Sequence, residues 1–315
     1  MKAEFARSVA ASSQEIDTLG DPERLEYRHP GVRMHFWAGG FPKIGGLQPI
    51  VHWHENFELC LVTRGSMTML VGGELIHLEE GDFIFVNSGQ FHKLGPDGDK
   101  EGRYSMAIVH PSILGCEEGL RREFVAPMLR RKWVPFVMLR RGRTGTLPAV
   151  FARMVECEDR PDEATAMEAV GIAFELWAAM MRAFRDAGAL APDTAAELGV
   201  RRADAEFDAV RAMVSFIQSQ CGERLTLGKI AAAGRVCRSL CCEMFGRHLG
   251  QSPIAYLNAY RLERAFKLLR ETRDPIADVA FACGFSNQSY FTRQFKTRFG
   301  LTPLKARARA RSRER

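Results

Sequence analysis

What the chain lacks narrows its function first. It has no uninterrupted apolar run of about 18 residues, so no membrane-spanning helix is expected. Its opening, MKAEFARSVAASSQEIDTLG, holds no apolar core of signal-peptide length. There are 8 cysteines, but their spacings form neither a disulfide framework nor paired CxxC ligands, so free thiols in a reducing cytoplasm are expected. Acid is scarce at one end only. Residues 221–315 hold 19 Lys/Arg against 7 Asp/Glu, a net of +12, whereas residues 1–220 hold 25 against 31, a net of −6. A basic segment joined to an acidic one points to a polyanion partner for the basic part alone; a solvated basic surface is the bland alternative.

The 315 residues, 46% of them apolar, are enough for two or three domains. Residues 1–30 are polar and read as an arm. From residue 31 to about 110, short runs (ELCLVTRG, SMTMLVGG, ELIHLEEG and DFIFVNSG) end in glycine, and several alternate in polarity. Regular short strands with glycine turns predict a sandwich or barrel. Residues 117–132, 147–157, 163–187 and 205–220 read as helices, with Val170, Phe174, Trp177 and Met181 at helical spacing in the third. Residues 111–187 form a helical packing or dimerisation region, and 188–204 read as a linker.

The third region, 205–305, is dense in helix punctuation. Thr226 caps a helix that Gly234 interrupts, and a second helix follows over 238–245. Ser252-Pro253 opens a long helix over 254–270. Asp274-Pro275 repeats that signal, and Ser286 is placed to cap a last helix that Gly300 closes. Ile230-Ala231 matches Val279-Ala280, Phe245 matches Phe295, and Gly250 matches Gly300, each pair 49 or 50 residues apart. Such a duplication of helix-turn-helix units can set two recognition helices about 34 Å apart, one turn of DNA.

In the second unit Phe291 and Phe295, four apart, share a buried face. Asn287, Gln288, Ser289, Thr292, Arg293 and Lys296 are left for other surfaces. Gln288 suits adenine N6/N7 and Arg293 guanine O6/N7, while Lys296 and the helix N-terminal amides suit phosphate. The tail KARARARSRER, from Lys305, alternates basic residues with alanine and has no apolar face; over 306–315 a disordered phosphate-touching arm is expected, with a solubilising tail as the alternative.

In the first region His52, His54 and Glu58 stand on strand-and-turn spacing, and His92 follows at a distance. Two imidazoles facing one way, a carboxylate and a third imidazole suit a divalent first-row metal. The alternatives are polar contacts to an effector or support of the barrel mouth. Trp37, Trp53, Phe57 and Phe91 are candidates to stack on a ligand ring, and Arg33, His35, Arg64 and Lys93 to pair with a carboxylate.

LGKIAAAG, MFGRHLGQSPIAYLNAYRLERAFKLL and DPIADVAFACGFSNQSYFTRQFKTRFGLTP, over residues 225–305, resemble the DNA-binding domain of AraC/XylS-type bacterial transcription regulators. The resemblance implies base contacts from Gln288, Ser289 and Arg293, and from Ser239, Cys242 and Glu243 in the first unit. That first unit departs from the pattern. Cys237 stands at a usual serine cap, Cys241 at a usual leucine, and Glu243 where arginine is common. A carboxylate accepts only from cytosine N4 and repels phosphate. The second unit is therefore expected to carry most of the specificity, and the first to position the protein through Arg238 and Arg247. Cys237, Cys241 and Cys242 also raise a metal or redox switch, against the plainer role of small hydrophobes.

Gly46, His52, His54, Glu58 and Gly65 resemble the first cupin motif in full. Gly81, Gly89 and His92 match the second in part, with Asn87 where proline is common and Pro96 in place of the usual asparagine. The fold implied is an α+β multidomain chain: an N-terminal cupin-like β-barrel with following helices, then an all-α double helix-turn-helix domain. The function implied is a cytoplasmic, sequence-specific transcription regulator, not an enzyme, controlled by a small-molecule effector. Sugar sensing is common in the group, and the effector contacts would come from Arg33, His35, His52, His54, Glu58 and His92. The resemblance favours activation and implies a homodimer, promoter DNA and RNA polymerase as partners, and no membrane. Two other readings stay open: an effector-independent DNA binder, and a metal-dependent cupin enzyme fused to a DNA-binding domain, with a divalent transition metal on His52, His54, Glu58 and His92.

Overall fold

The computed structural model describes residues 31–40, 50–131, 134–158, 164–189 and 196–313. The expected N-terminal arm, and Gly46 of the first glycine–histidine motif, lie outside the described residues. The chain divides into two compact units, one holding Val51–Arg201 and the preceding strand Met34–Gly40, the other Arg202–Arg315.

The first unit is built on seven antiparallel strands: β1 (Met34–Gly40), β2 (Phe57–Val71), β3 (Glu74–Glu79), β4 (Phe83–Val86), β5 (His92–Pro96), β6 (Gly102–Val109) and β7 (Phe136–Leu139). Their order is β1-β6-β2-β4-β7, with β3 and β5 also paired to β2. ELCLVTRG and SMTMLVGG, expected as two strands, are one. The first half of β2 pairs with β4 and β6, and its second half with β3 and β5. A register shift between Val62 and Arg64 comes just before the crossing from one sheet to the other, which falls between Gly65, still paired with β6, and Ser66, paired with β3. Gly65 sits at φ +71°, where a Cβ would lie 2.0 Å from the Glu101 carbonyl oxygen, so this glycine bends a continuous strand instead of ending it.

Alternation along β2 sorts its side chains. Phe57, Leu59 and Leu61 face a core shared with the helices, while Cys60 and Val62 line the sheet interior with Met67, Ile84, Met106 and Ile108. The helices are α1 (Leu147–Glu158) and α2 (Thr165–Asp186). Trp177 of α2 stacks on Phe57 at 4.8 Å, and Phe184 meets Phe83 and Phe85 edge to face or tilted. Each fully buried aromatic in this layer contributes about 1.5–3 kcal/mol.

The region expected to be wholly helical contains a strand. FVML forms β7 and pairs with β4, so the sheet extends beyond residue 110. The helical run before it is broken into Glu118–Leu120, a π-turn Arg121–Val125 and Ala126–Arg130. Asn87 explains the departure from proline at its position. Its side-chain amide donates to the carbonyls of Met128 (3.0 Å), Arg131 (3.2 Å) and Val134 (3.2 Å), tying this run to the sheet.

The second unit is helical: α3 (Ala196–Ser219), which enters it at Arg202, α4 (Leu227–Ala233), α5 (Arg238–Leu249), α6 (Pro253–Glu271), α7 (Ile276–Ala282), α8 (Gln288–Phe299) and α9 (Pro303–Arg313). Thr226 accepts from the Lys229 amide and Ser252 from the Ala255 amide, as their cap positions predict. Asp274 does not cap; Pro275 holds the N-cap position of α7 without a side-chain bond. The cap of α8 is Asn287, not Ser286, and its side chain accepts from the Tyr290 amide at 2.9 Å. Gly250 and Gly300 end α5 and α8 in the left-handed conformation, preserving the 50-residue repeat.

Two segments expected to be irregular are ordered helix. The linker reading ends at Ala196, where α3 begins; AELGVRRADAEF has good helix formers and no proline, and Gly199 costs only about 1 kcal/mol against that background. The tail forms α9. Ala306 is buried in the core of the second unit, and Arg307, also buried, donates to the carbonyls of Leu269 (3.4 Å) and Asp274 (2.6 Å). A side chain read only as basic thus satisfies carbonyls at and beyond the C-terminus of α6.

Candidate functional site

Two sites emerge, one in each unit. In the first, β2 sends Glu58 to the sheet interior, where it is 4% exposed. His92 opens β5, and His52 meets it in an isolated bridge: His52 N–H donates to His92 O at 3.0 Å, and His92 N–H to His52 O at 2.8 Å. That pairing sets the two rings side by side, 4.5 Å apart, with His54 4.9 Å from His92 and 5.8 Å from His52. One ring nitrogen from each of the three histidines lies within 4.8 Å of the others. Among the described residues this is the group placed to hold a metal ion.

Hydrogen bonds orient two of these rings. His92 Nδ1 donates to the Gln90 carbonyl at 2.8 Å, and His54 Nδ1 to the Asn56 carbonyl at 3.3 Å. Both Nε2 atoms then face one oxygen, Glu58 Oε2, at 3.0 Å from His92 and 3.5 Å from His54. The buried Nε2 of His54 makes no hydrogen bond. Burial pushes the His54 pKa down. Burial would raise Glu58, but the charge and hydrogen bond of His92, with the His54 ring 3.5 Å away, outweigh it and hold the carboxyl well below its ordinary range. Burial likewise opposes charge on His92, yet the Glu58 carboxylate and the Gln90 carbonyl raise its pKa.

His35 belongs to the same interior face. It lies in register with Ile108, which lies in register with Glu58, so it sits two strand spacings, about 10 Å, from the carboxylate strand. Its ring packs on Trp37 at 5.3 Å. Arg33 is exposed just before β1, and Arg64 is exposed at the bulge, so neither is buried with the histidines. Lys93 is half-buried on β5. Phe57, a candidate to stack on a ligand ring, instead faces the helices, because it alternates with Glu58. Trp53 and Phe91 are buried.

In the second unit, α8 divides into two faces. Phe291, Phe295 and Phe299 are buried, with ring centroids 5.5 Å and 4.5 Å apart along the row. Glu263 of α6, 4% exposed, accepts from the Arg298 Nε at 2.8 Å and pins the end of α8. Asn287, Gln288, Ser289, Arg293 and Lys296 are exposed on the other face, and Thr292 is half-buried at its edge. Tyr290, 39% exposed, went unnoticed in the sequence; the Arg293 guanidinium lies 5.5 Å from its ring centroid. The signal for it was present: Tyr290 directly precedes the buried Phe291 and so cannot share its face.

On α5, Arg238, Ser239, Cys242, Glu243 and Arg247 are likewise exposed. Arg247, assigned to phosphate, is engaged within the unit by Glu243 one turn before it and by Glu206 of α3. Cys237 holds the N-cap position without a side-chain bond, and Cys241 is buried, which pushes its thiol up to about 11. Among the described residues, the three cysteines do not form a group close enough to hold a metal. The turn of each helix-turn-helix repeat has one left-handed residue: Gly284 (φ +82°) in the second and Arg235 (φ +55°) in the first.

Among the described residues no helix is long and apolar enough to cross a membrane. The first unit matches a family described as the AraC-like ligand binding domain over residues 49–160, and the second a helix-turn-helix domain family over 230–309. YdeC of Bacillus subtilis, an uncharacterised HTH-type transcriptional regulator, is 25% identical over 83% of this chain and 86% of its own. The HTH-type transcriptional activator RhaS of Pectobacterium carotovorum is 32% identical over 35% of this chain and 39% of its own. The crystal structure of an apo ToxT variant from Vibrio cholerae has the same fold, with a TM-score of 0.50 and 12% identity, covering 88% of this chain and 97% of that one. Sensor-type sheet, doubled helix-turn-helix unit and relatives that span both agree, and the chain belongs to the AraC family of transcription regulators.

Proposed function

We propose that the protein reads promoter DNA mainly through α8 and that a small ligand held among His52, His54, Glu58 and His92 regulates it. The observation that carries the DNA reading is the two-faced α8. Three phenylalanines bury one side, and the other presents Gln288, Ser289, Arg293 and Lys296 to solvent. Gln288 and Arg293 have the donor geometry for adenine and guanine edges, and Lys296 the charge for phosphate. On α5, in the first helix-turn-helix repeat, Ser239 and Cys242 face the same task, while Arg238 and Arg247 position the backbone and Glu243 limits phosphate contact.

Ligand binding acts by favouring one arrangement of the DNA-binding units over another, which requires different affinity for the two. Relatives described as activators, RhaS of Pectobacterium carotovorum and VirF of Yersinia enterocolitica among the matches, support regulation of transcription; activation by this chain, with RNA polymerase as a partner, is the direction we propose. A homodimer is part of this reading, since two copies raise effective concentration on paired half-sites. The relatives are regulators, which supports a role outside catalysis.

The test is selection of bound duplexes from a random pool by the full chain. A sharp motif is expected. A featureless, strongly salt-dependent selection in the presence and absence of ligand would contradict sequence-specific reading.

A further inference from the structure

We infer that Tyr290 is a positioning residue for base recognition: its ring holds the Arg293 guanidinium toward the start of α8 and so sharpens discrimination at the base pair that Arg293 reads. The inference rests on the reading of bases by α8 proposed above, and it adds a residue that acts on Arg293 instead of on a base.

Three observations carry it. The first is direction. Side chains of a helix lean toward its N-terminus and residues three apart share a face, so Arg293 lies back over Tyr290. Its guanidinium carbon stands 5.5 Å from the centroid of the Tyr290 ring, close enough for attraction between a cation and an aromatic face. The first turn of a recognition helix is the part that meets base edges, and Gln288 and Ser289 are exposed there.

The second observation is that the ring is itself held. Tyr290 meets Phe285 at 6.3 Å in a tilted contact. Phe285 is buried, packs on Phe291 at 5.1 Å and has the Arg261 guanidinium 5.9 Å from its centroid. Arg261 donates in turn to the carbonyls of Cys221 (2.8 Å) and Glu223 (2.7 Å). Arg261, Phe285, Tyr290 and Arg293 therefore form a stack from the turn after α3 to the surface of α8. An arginine on such a platform loses less conformational freedom on meeting a base than one that moves freely in water. Among the described residues no carboxylate pairs with Arg293, in contrast to Arg247 of α5.

The third observation comes from the repeat. Fifty residues earlier, α5 carries Leu240 where α8 has Tyr290, and Glu243 where α8 has Arg293. Leu240 and Tyr290 are each 39% exposed, so the two positions are alike in setting. Aromatic ring and cation occur together in one repeat, and aliphatic side chain and carboxylate in the other. The negative face of a ring would repel that carboxylate. Leu240 also supplies the variant, since Tyr290→Leu puts on α8 what α5 already carries at the same place.

The test measures the affinity of the full chain for the selected duplex and its single-base variants. Wild type is compared with Tyr290→Leu, Tyr290→Phe, Arg293→Ala and the double variant Tyr290→Leu/Arg293→Ala. Tyr290→Leu should lower discrimination about 2- to 5-fold at the base pair where Arg293→Ala becomes indifferent, the size of an exposed cation–ring contact. Other positions and the salt dependence should not change, because no phosphate contact is lost. Tyr290→Phe should keep full discrimination, since the ring acts and not the hydroxyl. The double variant should match Arg293→Ala, with nothing left to position. Full discrimination in Tyr290→Leu would overturn the inference, and so would an equal loss in Tyr290→Phe. An added loss in the double variant would also overturn it, as the mark of a direct tyrosine contact to DNA or of a general effect on the fold. Each of these results, with Arg293→Ala indifferent at its base pair, leaves the reading by α8 intact. Base preference fully kept in Arg293→Ala defeats that reading and the positioning with it.

Discussion

Arg235 holds the left-handed conformation in the turn of the first helix-turn-helix repeat, whose counterpart in the second repeat has Gly284. A non-glycine residue there costs about 1–2 kcal/mol. Arg235→Gly should therefore stabilise the second unit by about 0.5–1 kcal/mol, less than the full penalty because glycine also loosens the unfolded chain. All four tryptophans lie in the first unit, so tryptophan fluorescence follows that unit, while far-UV circular dichroism is weighted toward the more helical second, with α1 and α2 of the first adding a component that moves with the fluorescence. In urea, only the part of the circular dichroism transition that does not follow the fluorescence should move to higher denaturant. The neighbouring Gly234 is needed for another reason: a Cβ there would meet the Met213 side chain at 2.7 Å, so α3 passes too close for any side chain. The sequence marked a break at Gly234 without distinguishing these two causes, because close approach by α3 is a tertiary fact.

At the scale of elements, helix ends were legible and strand continuity was not. Thr226, Ser252 and Gly300 announce themselves by local chemistry, since a cap bonds within three residues. Asn287 and Ser286 are both competent caps, and only the backbone decides between them. β2 hid behind Gly65, whose glycine signature is the same for a turn and for a strand bend. α9 hid because, beyond Pro303 at its start, its burial comes from Ala306 and the stem and head of Arg307, which no apolar pattern reveals. The convergence of His52, His54 and His92 was foreshadowed by motif, but Asn87 as the tie to the following helices was visible only in the structure. The Phe291–Phe295–Phe299 row predicts its own weakness. Phe295→Ala, fully buried against Phe266 and Phe299, should destabilise the second unit by about 3–5 kcal/mol. The circular dichroism transition should shift to lower urea while tryptophan fluorescence holds; an unshifted transition would mean that α8 is not packed on this row.

At the scale of the whole molecule, charge and chemistry divide along the chain. The basic segment, net +12 over 221–315, carries α5, α8 and α9, while the acidic remainder carries the histidine pocket. The two recognition helices are not equivalent. α8 presents Arg293 and Lys296 beside an exposed tyrosine, whereas Arg247 of α5 is shared between two carboxylates, Glu206 and Glu243. Exposed ion pairs are weak, about 0–1 kcal/mol, so phosphate can still compete for Arg247, but its net contribution to DNA affinity is reduced. The account thus makes one central claim: α8 reads bases and α5 holds the DNA backbone. The most direct measurement is the affinity of Arg293→Ala and Arg247→Ala, in the full chain, for the selected duplex and for its single-base variants. Arg293→Ala should lose about 1–3 kcal/mol, roughly 5- to 150-fold, and become indifferent at one or two base pairs. Arg247→Ala should lose less, keep the full base preference and show a shallower salt dependence. The opposite pattern, with base preference lost in Arg247→Ala and kept in Arg293→Ala, would contradict the claim.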